Sequence, residues 1–485
     1  MSLLARVAGV LDDAIAAVGE GPGARALQDA RTRLDEPLRV AIAGKVKAGK
    51  STLLNALVGE RLAPTDAGEC TRIVTWYLGS HTSRVTLQPR EGAARQAPFD
   101  REDGAIDVDL GGLDPGEIER LVVEWPSTRL ESTTLIDTPG IGSLSEATSQ
   151  RTHEFLASDE SDSPTDAVLY LMRHLHADDV GFLETFHDDM AHATPVNAIG
   201  VLSRADEIGV GRPDAMLTAQ RIAARYQHDP QVRRLCQTVV PVTGLLAETA
   251  STLRQDEFEA LRTLASAPED ALADALLSAD RFVVSESING VGADVRGSLL
   301  RRLGVFGVRS ATARLRERVS MTASDLAAEL LRESGVEELR RILETQFAAR
   351  RDLLKARSGL SALEVALRGP AIDPEARERL SADIEAIEAG AHEFAEARLL
   401  NGLRAGMVEV EVDAATERLL GGLGTDPRTR LDLSPVAPDG DVRAAATDAL
   451  RRWQAAAESP LAGQDAKQFA RVLVRSCEGI LAAVS

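Results

Sequence analysis

Apolar residues in the first half of the chain are concentrated in short runs, and the segments between these runs have helical periodicity. Six runs are continuous enough to predict buried strands, over residues 38–43, 73–78, 133–136, 167–171, 196–202 and 239–242. Strands that alternate with helices typically form a parallel sheet whose two faces the helices cover. We therefore expect an α/β domain with a mostly parallel sheet and helices on both faces.

The second half of the chain has no comparable strand signal. From about residue 257 to the end, Ala, Leu, Arg and Glu dominate and apolar residues recur at helical spacing. Ser334 and Glu337 form a capping-box pattern at the start of one long helix. At the turn over 369–374, Asp373 can cap the next helix and Pro374 can open it. The pattern predicts an elongated helical bundle.

A helical pattern also occupies the first 35 residues, ahead of the first predicted strand. Its apolar face must pack on something supplied later in the chain, and we expect helices of the C-terminal half to supply it. Three parts follow from these patterns: an N-terminal helix over 1–36 that joins the bundle, the α/β domain over 37–250, and a helical part over 251–485. The bundle is thus built from both chain ends.

The charge balance limits the partners of such a chain. It has a formal net charge of -20 over 485 residues, of which 3% are aromatic. Negative charge repels nucleic acid and base stacking needs aromatic side chains, so we expect no nucleic-acid partner. No export signal and no apolar stretch of about 18 residues is evident. Three widely spaced cysteines fit a reducing compartment, so we expect a cytoplasmic protein, soluble or peripheral at a membrane.

The strand at 38–43 runs directly into a phosphate-binding motif. Two glycines separated by four residues are followed by Lys and Ser, with a helical pattern behind them. The glycines let backbone amides face a phosphate, Lys50 would reach the terminal phosphates, and the Ser51 hydroxyl would ligate magnesium. The residues that we expect to contact a nucleotide here are Gly44, Lys45, Val46, Lys47, Ala48, Gly49, Lys50, Ser51 and Thr52.

A second motif, Asp137-Thr138-Pro139-Gly140, comes directly after the strand at 133–136. At such a strand end Asp137 can hold a magnesium-bound water, and the Gly140 amide can sense a γ-phosphate. A bare sequence of this kind is also an ordinary turn. Two phosphate-side motifs in this order, each behind a predicted strand, favour the functional interpretation.

A loop over residues 64–71 lies between the two motifs. A threonine there can complete magnesium coordination through its hydroxyl and orient an attacking water through its backbone when the γ-phosphate is present. We prefer Thr71 for this role, and Thr65 is the competing candidate. The predicted metal ligands are therefore Ser51, Thr71 and, through a water, Asp137.

Two further strand ends carry residues for a base. Ser203-Arg204-Ala205-Asp206 closes the strand at 196–202. Asp206 can accept hydrogen bonds from both donors on the guanine edge, while the stem of Arg204 packs over the base. The last strand leads into Thr243 and Gly244, where backbone groups usually touch the base. We expect all of these residues except Ala205 to bind the nucleotide.

In this order and at these strand ends, the motifs resemble those of the dynamin superfamily of large GTPases. Within it the chain looks like the bacterial dynamin-like proteins of actinobacteria, the isoniazid-inducible IniA and IniC type, with IniC nearer in length. The resemblance covers the whole chain, and in the helical half it includes residues 304–315 and a helix start at 334–339. It implies a P-loop GTPase domain carried on an elongated helical neck and trunk.

The same resemblance implies an activity and partners. GTP would be the substrate and magnesium the cofactor, with hydrolysis coupled to dimerisation of GTPase domains and to membrane binding or remodelling. The implied partners are a second copy, a sister dynamin-like protein and an anionic phospholipid membrane at the inner face of the plasma membrane. A regulatory GTP switch acting through protein partners is the alternative, and intact Lys50, Ser51 and Asp137 argue against a scaffold with a vestigial site.

Two residues depart from the family pattern. Arg204 stands where the guanine motif usually has Lys, and Lys47 occupies a loop position where dynamins carry a small polar residue. Lys47 either places its ammonium on the charge developing between the β- and γ-phosphates or is a solvated lysine on an exposed turn. No glutamine follows Gly140, so we expect slow basal hydrolysis that rises when two domains meet. The predicted catalytic residues are Lys47, Lys50, Thr71 and Gly140.

Membrane contact would need an apolar tip on the bundle. The candidates are Ile372, Leu423, and Val305 with Phe306, and each of them is equally explicable as a buried residue. Two polar clusters carry less weight. One is a basic stripe on a predicted helix, which we interpret as solvated charge; contact with anionic lipid headgroups is the minority interpretation. This stripe consists of Arg350, Arg351, Lys355 and Arg357. The other has no recognised metal-ligand spacing and consists of His174, His176, Asp178, Asp179, His187 and His192.

Overall fold

The computed structural model describes residues 2–19, 21–65, 73–102, 104–140, 165–174, 180, 197–209, 211–369, 372–404 and 413–484. The strands in these residues are β1 (Leu38–Gly44), β2 (Val74–Gly79), β3 (Arg84–Pro89), β4 (Arg95–Gln96), β5 (Phe99–Glu102), β6 (Ala105–Val108), β7 (Ile118–Trp125), β8 (Thr133–Asp137), β9 (Ala167–Met172), β10 (Ala198–Ser203) and β11 (Val239–Val242). Strands β5 and β6 pair with each other, and the other nine form one sheet.

The large sheet runs in the order β11-β10-β9-β1-β8-β2-β7-β3-β4. Strands β8, β1, β9, β10 and β11 are mutually parallel, and β2 enters antiparallel to β8. All six residues of β9 and of β10 are buried, as expected for central strands covered on both faces. The predicted mostly parallel sheet is therefore confirmed.

Strands β3 to β7 are absent from the sequence prediction, which rests on continuous apolar runs. In β7 buried residues alternate with more accessible ones, and β3 has the same tendency. Such strands have one face towards solvent, so their signal has period two and is diluted by the polar residues between. Of these strands, β7, β3 and β4 extend the large sheet at the edge away from β11.

The remaining long regular elements of the described chain are helices. Those up to the end of the α/β part are α1 (Leu3–Val18), α2 (Pro22–Arg33), α3 (Lys50–Val58), α4 (Ala215–His228), α5 (Pro230–Leu235) and α6 (Gly244–Ser251). Those that follow are α7 (Gln255–Ala265), α8 (Glu269–Ala275), α9 (Ala279–Val284), α10 (Ala293–Glu317), α11 (Ala323–Glu333), α12 (Val336–Ile342), α13 (Arg351–Arg368), α14 (Pro374–Gly390), α15 (His392–Arg404), α16 (Ala414–Leu419), α17 (Pro427–Arg430), α18 (Asp439–Glu458) and α19 (Gln464–Ala483).

Helices from the two chain ends share one apolar cluster. Val7 and Leu11 of α1 are fully buried together with Leu363 of α13 and Leu380 of α14. Gly359 makes this approach close, since a β-carbon there would lie 3.0 Å from Val7 Cγ1. The N-terminal helix therefore buries its apolar face against helices that lie more than 300 residues away in the sequence.

The two helix-cap predictions have different outcomes. The Asp373 carboxylate accepts hydrogen bonds from the amides of Glu375 and Ala376, both at 3.0 Å, so that cap is confirmed. The predicted capping box at Ser334 is wrong, because Ser334 is the C-cap of α11 and Gly335, with φ of 78°, is the N-cap of α12. A glycine in the left-handed region ends one helix and starts the next, which a Ser-x-x-Glu pattern does not reveal.

Candidate functional site

The predicted motifs meet at one edge of the sheet. Because β1, β8, β9, β10 and β11 are parallel, Gly44, Asp137, Ser203 and Val242 all lie at carboxyl ends along that edge. Ligands of open α/β sheets bind there, at the point where the strand order reverses. In this sheet β9, β10 and β11 lie on one side of β1 and β8 lies on the other, so the strand order reverses at β1.

The loop between β1 and α3 has the backbone of a phosphate cradle. Gly44 and Gly49 have φ of 147° and 94°, and a β-carbon on Gly44 would lie 2.6 Å from the Leu171 carbonyl oxygen. Gly49 is the N-cap of α3, and no side chain within the described residues caps its first amides. An uncapped helix N-terminus behind a glycine loop binds anions through its amides and its dipole.

Lys50 opens α3 and folds back over the loop. Its side-chain nitrogen donates to the Gly44 carbonyl oxygen at 3.4 Å, and the residue is 9% exposed. Burial lowers the pKa of Lys50, and the charge of Asp137 opposes that shift. An ammonium buried in this way would be stabilised by an anionic ligand in the loop.

Ser51 and Asp137 form the polar centre of the site. Ser51 Oγ donates to Asp137 Oδ2 at 2.7 Å, whereas the buried Oδ1 of Asp137 has no hydrogen-bond partner among the described residues. Burial raises the pKa of Asp137, while the charge of Lys50 and the hydrogen bond from Ser51 oppose the rise. A hydroxyl beside a carboxylate with a spare oxygen fits magnesium, which prefers oxygen ligands and retains several waters.

The segment behind β8 is held against the phosphate loop. The Thr138 hydroxyl donates to the Ile42 carbonyl oxygen at 2.9 Å. A β-carbon on Gly140 would lie 2.5 Å from Val46 Cγ2 and 2.8 Å from Val46 Cα, so only glycine fits this position. Gly140 therefore sits directly on the loop whose ligand we expect it to sense.

Lys47 has an unusual backbone and an arginine neighbour. Its φ is 62°, in the left-handed region that costs a residue with a β-carbon roughly 1 kcal/mol or more. Lys47 is exposed, and its carbonyl oxygen accepts a hydrogen bond from Arg173 at 3.4 Å. Arg173 also lies 3.6 Å from Glu207, beside the guanine motif. The sequence analysis missed Arg173, because this residue belongs to no motif. Its position directly after β9 is the one feature of the sequence that could have indicated a place at the site.

A cavity of about 130 Å³ continues from the phosphate loop towards the guanine motif. Asp206 lines it, and burial raises the pKa of this carboxyl. Arg204 has φ of 52° and donates to Glu207 at 2.5 Å. Of the predicted nucleotide contacts, those lining the cavity are Ala48, Gly49, Thr52, Ser203, Arg204, Asp206 and Gly244. Thr243, buried at the N-cap of α6, precedes Gly244.

The loop that precedes β2 is anchored at its start. The Asn55 side chain accepts hydrogen bonds from the amides of Leu62 and Ala63 and donates to the Ala63 carbonyl oxygen. Thr65 is exposed and accepts a hydrogen bond from Arg61 at 3.1 Å. Thr71 lies outside the described residues, so its role as a metal ligand stays a prediction.

Two of the four membrane-contact candidates are buried, and a third is only partly exposed. Ile372 is 2% exposed in the cluster shared by α1, α13 and α14, and Phe306 is 2% exposed. Val305 packs against the cluster that contains Phe306. Ile372 and Phe306 are withdrawn as tip residues because they are buried, whereas Leu423, at 59% exposed, and the partly exposed Val305 remain. No helix in the described part of the chain has the length and apolarity needed to span a bilayer.

The basic side chains at 350–357 are not a solvated stripe, so that interpretation is wrong. The Lys355 ammonium is buried, 3.1 Å from Asp166 Oδ2, and donates to the Pro37 carbonyl oxygen. Arg350 is 7% exposed, and burial lowers the pKa of Arg357 to about 10. Of the discounted histidine cluster only His174 is described, and no group of three potential ligand side chains suited to a metal occurs in the described ranges.

Comparisons with known proteins agree with this site. A family model described as "Dynamin family" matches residues 40–192. The isoniazid-induced protein IniC of Mycobacterium tuberculosis is 42% identical over 495 residues, covering 100% of this chain and 99% of that protein. The isoniazid-induced protein IniA of the same species is 32% identical over 34% of this chain and 28% of that protein.

A solved structure titled "An oligomerised bacterial dynamin pair provides a mechanism for the long range sensing and tethering of membranes" covers 95% of this chain and 87% of its own, with 12% identity and a TM-score of 0.34. So loose a superposition adds nothing to the argument. The full-length identity to IniC, the matched family model and the phosphate and guanine motifs at one sheet edge are sufficient. The chain belongs to the dynamin family, as a bacterial dynamin-like GTPase of the IniC type.

Proposed function

We propose that this GTPase binds GTP together with magnesium in the loop between β1 and α3 and uses hydrolysis to drive self-association and membrane remodelling. The observation that carries the nucleotide part is Asp137 Oδ1, which has no hydrogen-bond partner in the described part of the chain and lies beside the Ser51 hydroxyl at the start of α3. Ser51, Asp137 through a water, and Thr71 would hold the magnesium. Bound there, the ion would neutralise charge on the β- and γ-phosphates.

The protein's own groups would do the rest of the work. Amides of the loop 44–50 and the α3 dipole would bind the phosphates, and the Lys50 ammonium would exchange its contact with the Gly44 carbonyl for phosphate oxygens. The Gly140 amide would contact the γ-phosphate, so the segment that follows β8 would respond to its presence. The Thr71 backbone would orient the attacking water. Asp206 would select guanine by accepting from two donors on its edge.

Lys47 supplies a testable part of this proposal. Lys47→Ala should lower kcat for GTP by roughly 10²-fold with a small change in KM, because the ammonium would act on charge that develops only in the transition state. Alanine also carries a β-carbon, so the backbone cost at φ 62° stays the same and only the charge is lost. Turnover should be measured at high protein concentration, where self-association is favoured.

Lys47→Arg is the matched control, because it keeps a cation at the same position and should retain most of the turnover. If Lys47→Ala turns over GTP at the unsubstituted rate, Lys47 is a solvated lysine and has no part in hydrolysis. A loss of turnover in both variants would point to the loop geometry and not to the charge.

The membrane part of the proposal rests on family membership and on the domain plan. A GTPase sheet followed by helices that pack with the N-terminal helix is suited to transmit hydrolysis as a hinge movement. We place the protein in the cytoplasm, at the inner face of the plasma membrane, with a second copy or a sister dynamin-like chain as partner. Anionic phospholipid is the proposed ligand of the helical half.

Co-sedimentation with liposomes tests this part. The full chain should pellet with vesicles of phosphatidylcholine and an anionic phospholipid when a non-hydrolysable GTP analogue is present, and less without it. Leu423→Asp tests the one exposed candidate, and Val436→Asp, at a residue 89% exposed, is the control for added surface charge. No pelleting under any nucleotide condition would favour a regulatory GTP switch that acts through protein partners.

A further inference from the structure

Helix α10 is interrupted near its middle. Gly304 has φ of 65° and ψ of 177°, a conformation that is essentially restricted to glycine, whereas the residues on either side are helical. A residue with a β-carbon at this position would be strained whatever space surrounds it. The kink in α10 therefore depends on the glycine.

The kink lies against the residue that we propose selects the base. A β-carbon on Gly304 would lie 3.6 Å from Asp206 Oδ2 and 3.8 Å from Leu245 Cδ2. Asp206 and Leu245 both line the cavity of about 130 Å³ that runs from the phosphate loop to the guanine motif, whereas Gly304 does not. A helix outside the sheet thus supports the Asp206 carboxylate without lining the cavity itself.

Arginines hold α10 on both sides of the kink. Before it, Arg302 pairs with Glu257 of α7 at 2.6 Å, with both side chains mostly buried. After it, Arg309 donates to the carbonyl oxygens of Gly211 and Leu276, the latter at 2.8 Å. Gly211 lies just beyond the guanine motif, so Arg309 ties that segment directly to α10. The position of Gly304 over Asp206 is thereby fixed from two sides.

We propose that Gly304 is a positioning residue for base selection, and that the kinked α10 holds the Asp206 carboxylate in the orientation that accepts both guanine donors. This inference rests on the proposed function. A β-carbon at Gly304 forces the backbone out of its conformation, which moves α10 relative to Asp206. The carboxylate then turns away from one of its two donors, while the phosphate loop, built from other elements, is unaffected.

The base itself provides the measurement. Guanine offers a ring N–H and an exocyclic amine to one carboxylate, whereas hypoxanthine has the ring N–H and lacks the amine. The ratio of the dissociation constants for IDP and GDP therefore reports whether Asp206 accepts the second hydrogen bond. General destabilisation lowers both affinities together and leaves this ratio unchanged.

Gly304→Ala in the full chain should lower the preference for GDP over IDP about 10-fold, the scale of one hydrogen bond to a charged group. Its affinity for IDP should stay close to that of the unsubstituted protein. Gly297→Ala is the matched control: it lies in the same helix with helical backbone, and its β-carbon would meet only Arg301 at 3.7 Å. Competition against a fluorescent GDP analogue gives both constants.

Arg309→Lys is the second variant, because it replaces the two guanidinium nitrogens that bind the carbonyls of Gly211 and Leu276 with one ammonium on a shorter side chain, and it should lower the same ratio. If Gly304→Ala folds and keeps the original preference, the inference is overturned. If Gly304→Ala does not fold, Arg309→Lys decides in the same way. An unsubstituted protein with no preference for GDP would instead contradict the proposed function of Asp206, which is a distinct failure.

Discussion

Lys50→Ala is expected to lower kcat/KM for GTP by about 10³-fold, the scale of losing a preorganised charged group that acts on a phosphoryl transition state. Lys50 is the buried lysine of the loop, and its nitrogen donates to the Gly44 carbonyl oxygen. A phosphate bound by the loop amides would lie within reach of that nitrogen.

The same substitution should leave the fold intact. Burial lowers the pKa of Lys50, which means that keeping its ammonium charged costs free energy in the nucleotide-free protein. Removal of this ammonium should therefore not reduce the free energy of unfolding. Steady-state phosphate release measures the effect, and circular dichroism checks the fold. Arg451→Ala, which removes a cation from a side chain 73% exposed on α18, is the control and should hydrolyse GTP normally. Hydrolysis by Lys50→Ala at the unsubstituted rate would remove the loop from the mechanism.

The position of the candidate nucleotide site at one sheet edge could be predicted because its motifs are local. Gly44 to Thr52 and Asp137 to Gly140 each lie within a few residues of a strand end, where the backbone itself sets the geometry. Because the strands are parallel, their carboxyl ends lie at the same edge of the sheet, and the motifs that follow them lie close together. Arg173 escaped prediction because its role depends on contacts with Lys47 and Glu207, which only the fold brings near.

The helical half was predicted in type but not in detail. Helical periodicity predicts the helices, but it does not tell which apolar residues face solvent. The sequence therefore leaves Phe306 and Ile372 open as tip or buried residues, and in the structure both are buried. Charge was misleading in the same way. Helical periodicity does not tell whether Lys355 is buried or exposed. Its buried partner Asp166 precedes it by 189 residues. A pairing of that range has no signature in one sequence.

Asp166→Asn is expected to lower the free energy of unfolding by about 3–5 kcal/mol, the usual cost of leaving one member of a buried ion pair unpaired. Asp166 Oδ2 lies 3.1 Å from Lys355 Nζ and accepts from the Arg39 amide at 2.8 Å, while Oδ1 accepts from Ser358 at 2.9 Å and lies 3.4 Å from Arg33. The carboxylate thereby joins α2, β1 and α13 at the start of β9. Asparagine keeps the shape and removes the charge that balances two buried cations.

The measurement is the urea midpoint followed by circular dichroism, at several pH values. Burial acts to raise the pKa of Asp166, but Lys355 and Arg33 outweigh it and hold this pKa below its usual range. A lowered pKa in the folded state means that the stabilisation is complete above the unfolded value of about 3.9 and is lost as the pH falls through the folded value. The difference between Asp166→Asn and the unsubstituted protein should therefore be constant near neutral pH and shrink below about pH 4.

Two further variants separate the buried pair from charge in general. Asp12→Asn breaks the exposed pair between α1 and Arg31, 3.1 Å apart, and should cost about 1 kcal/mol or less. Adding Lys355→Met to Asp166→Asn removes the stranded ammonium, so the double variant should be more stable than the sum of the two single losses predicts. If Asp166→Asn unfolds at the same urea concentration as Asp12→Asn, the network does not hold the sheet to the helices, and the contact between them must rest on apolar packing alone.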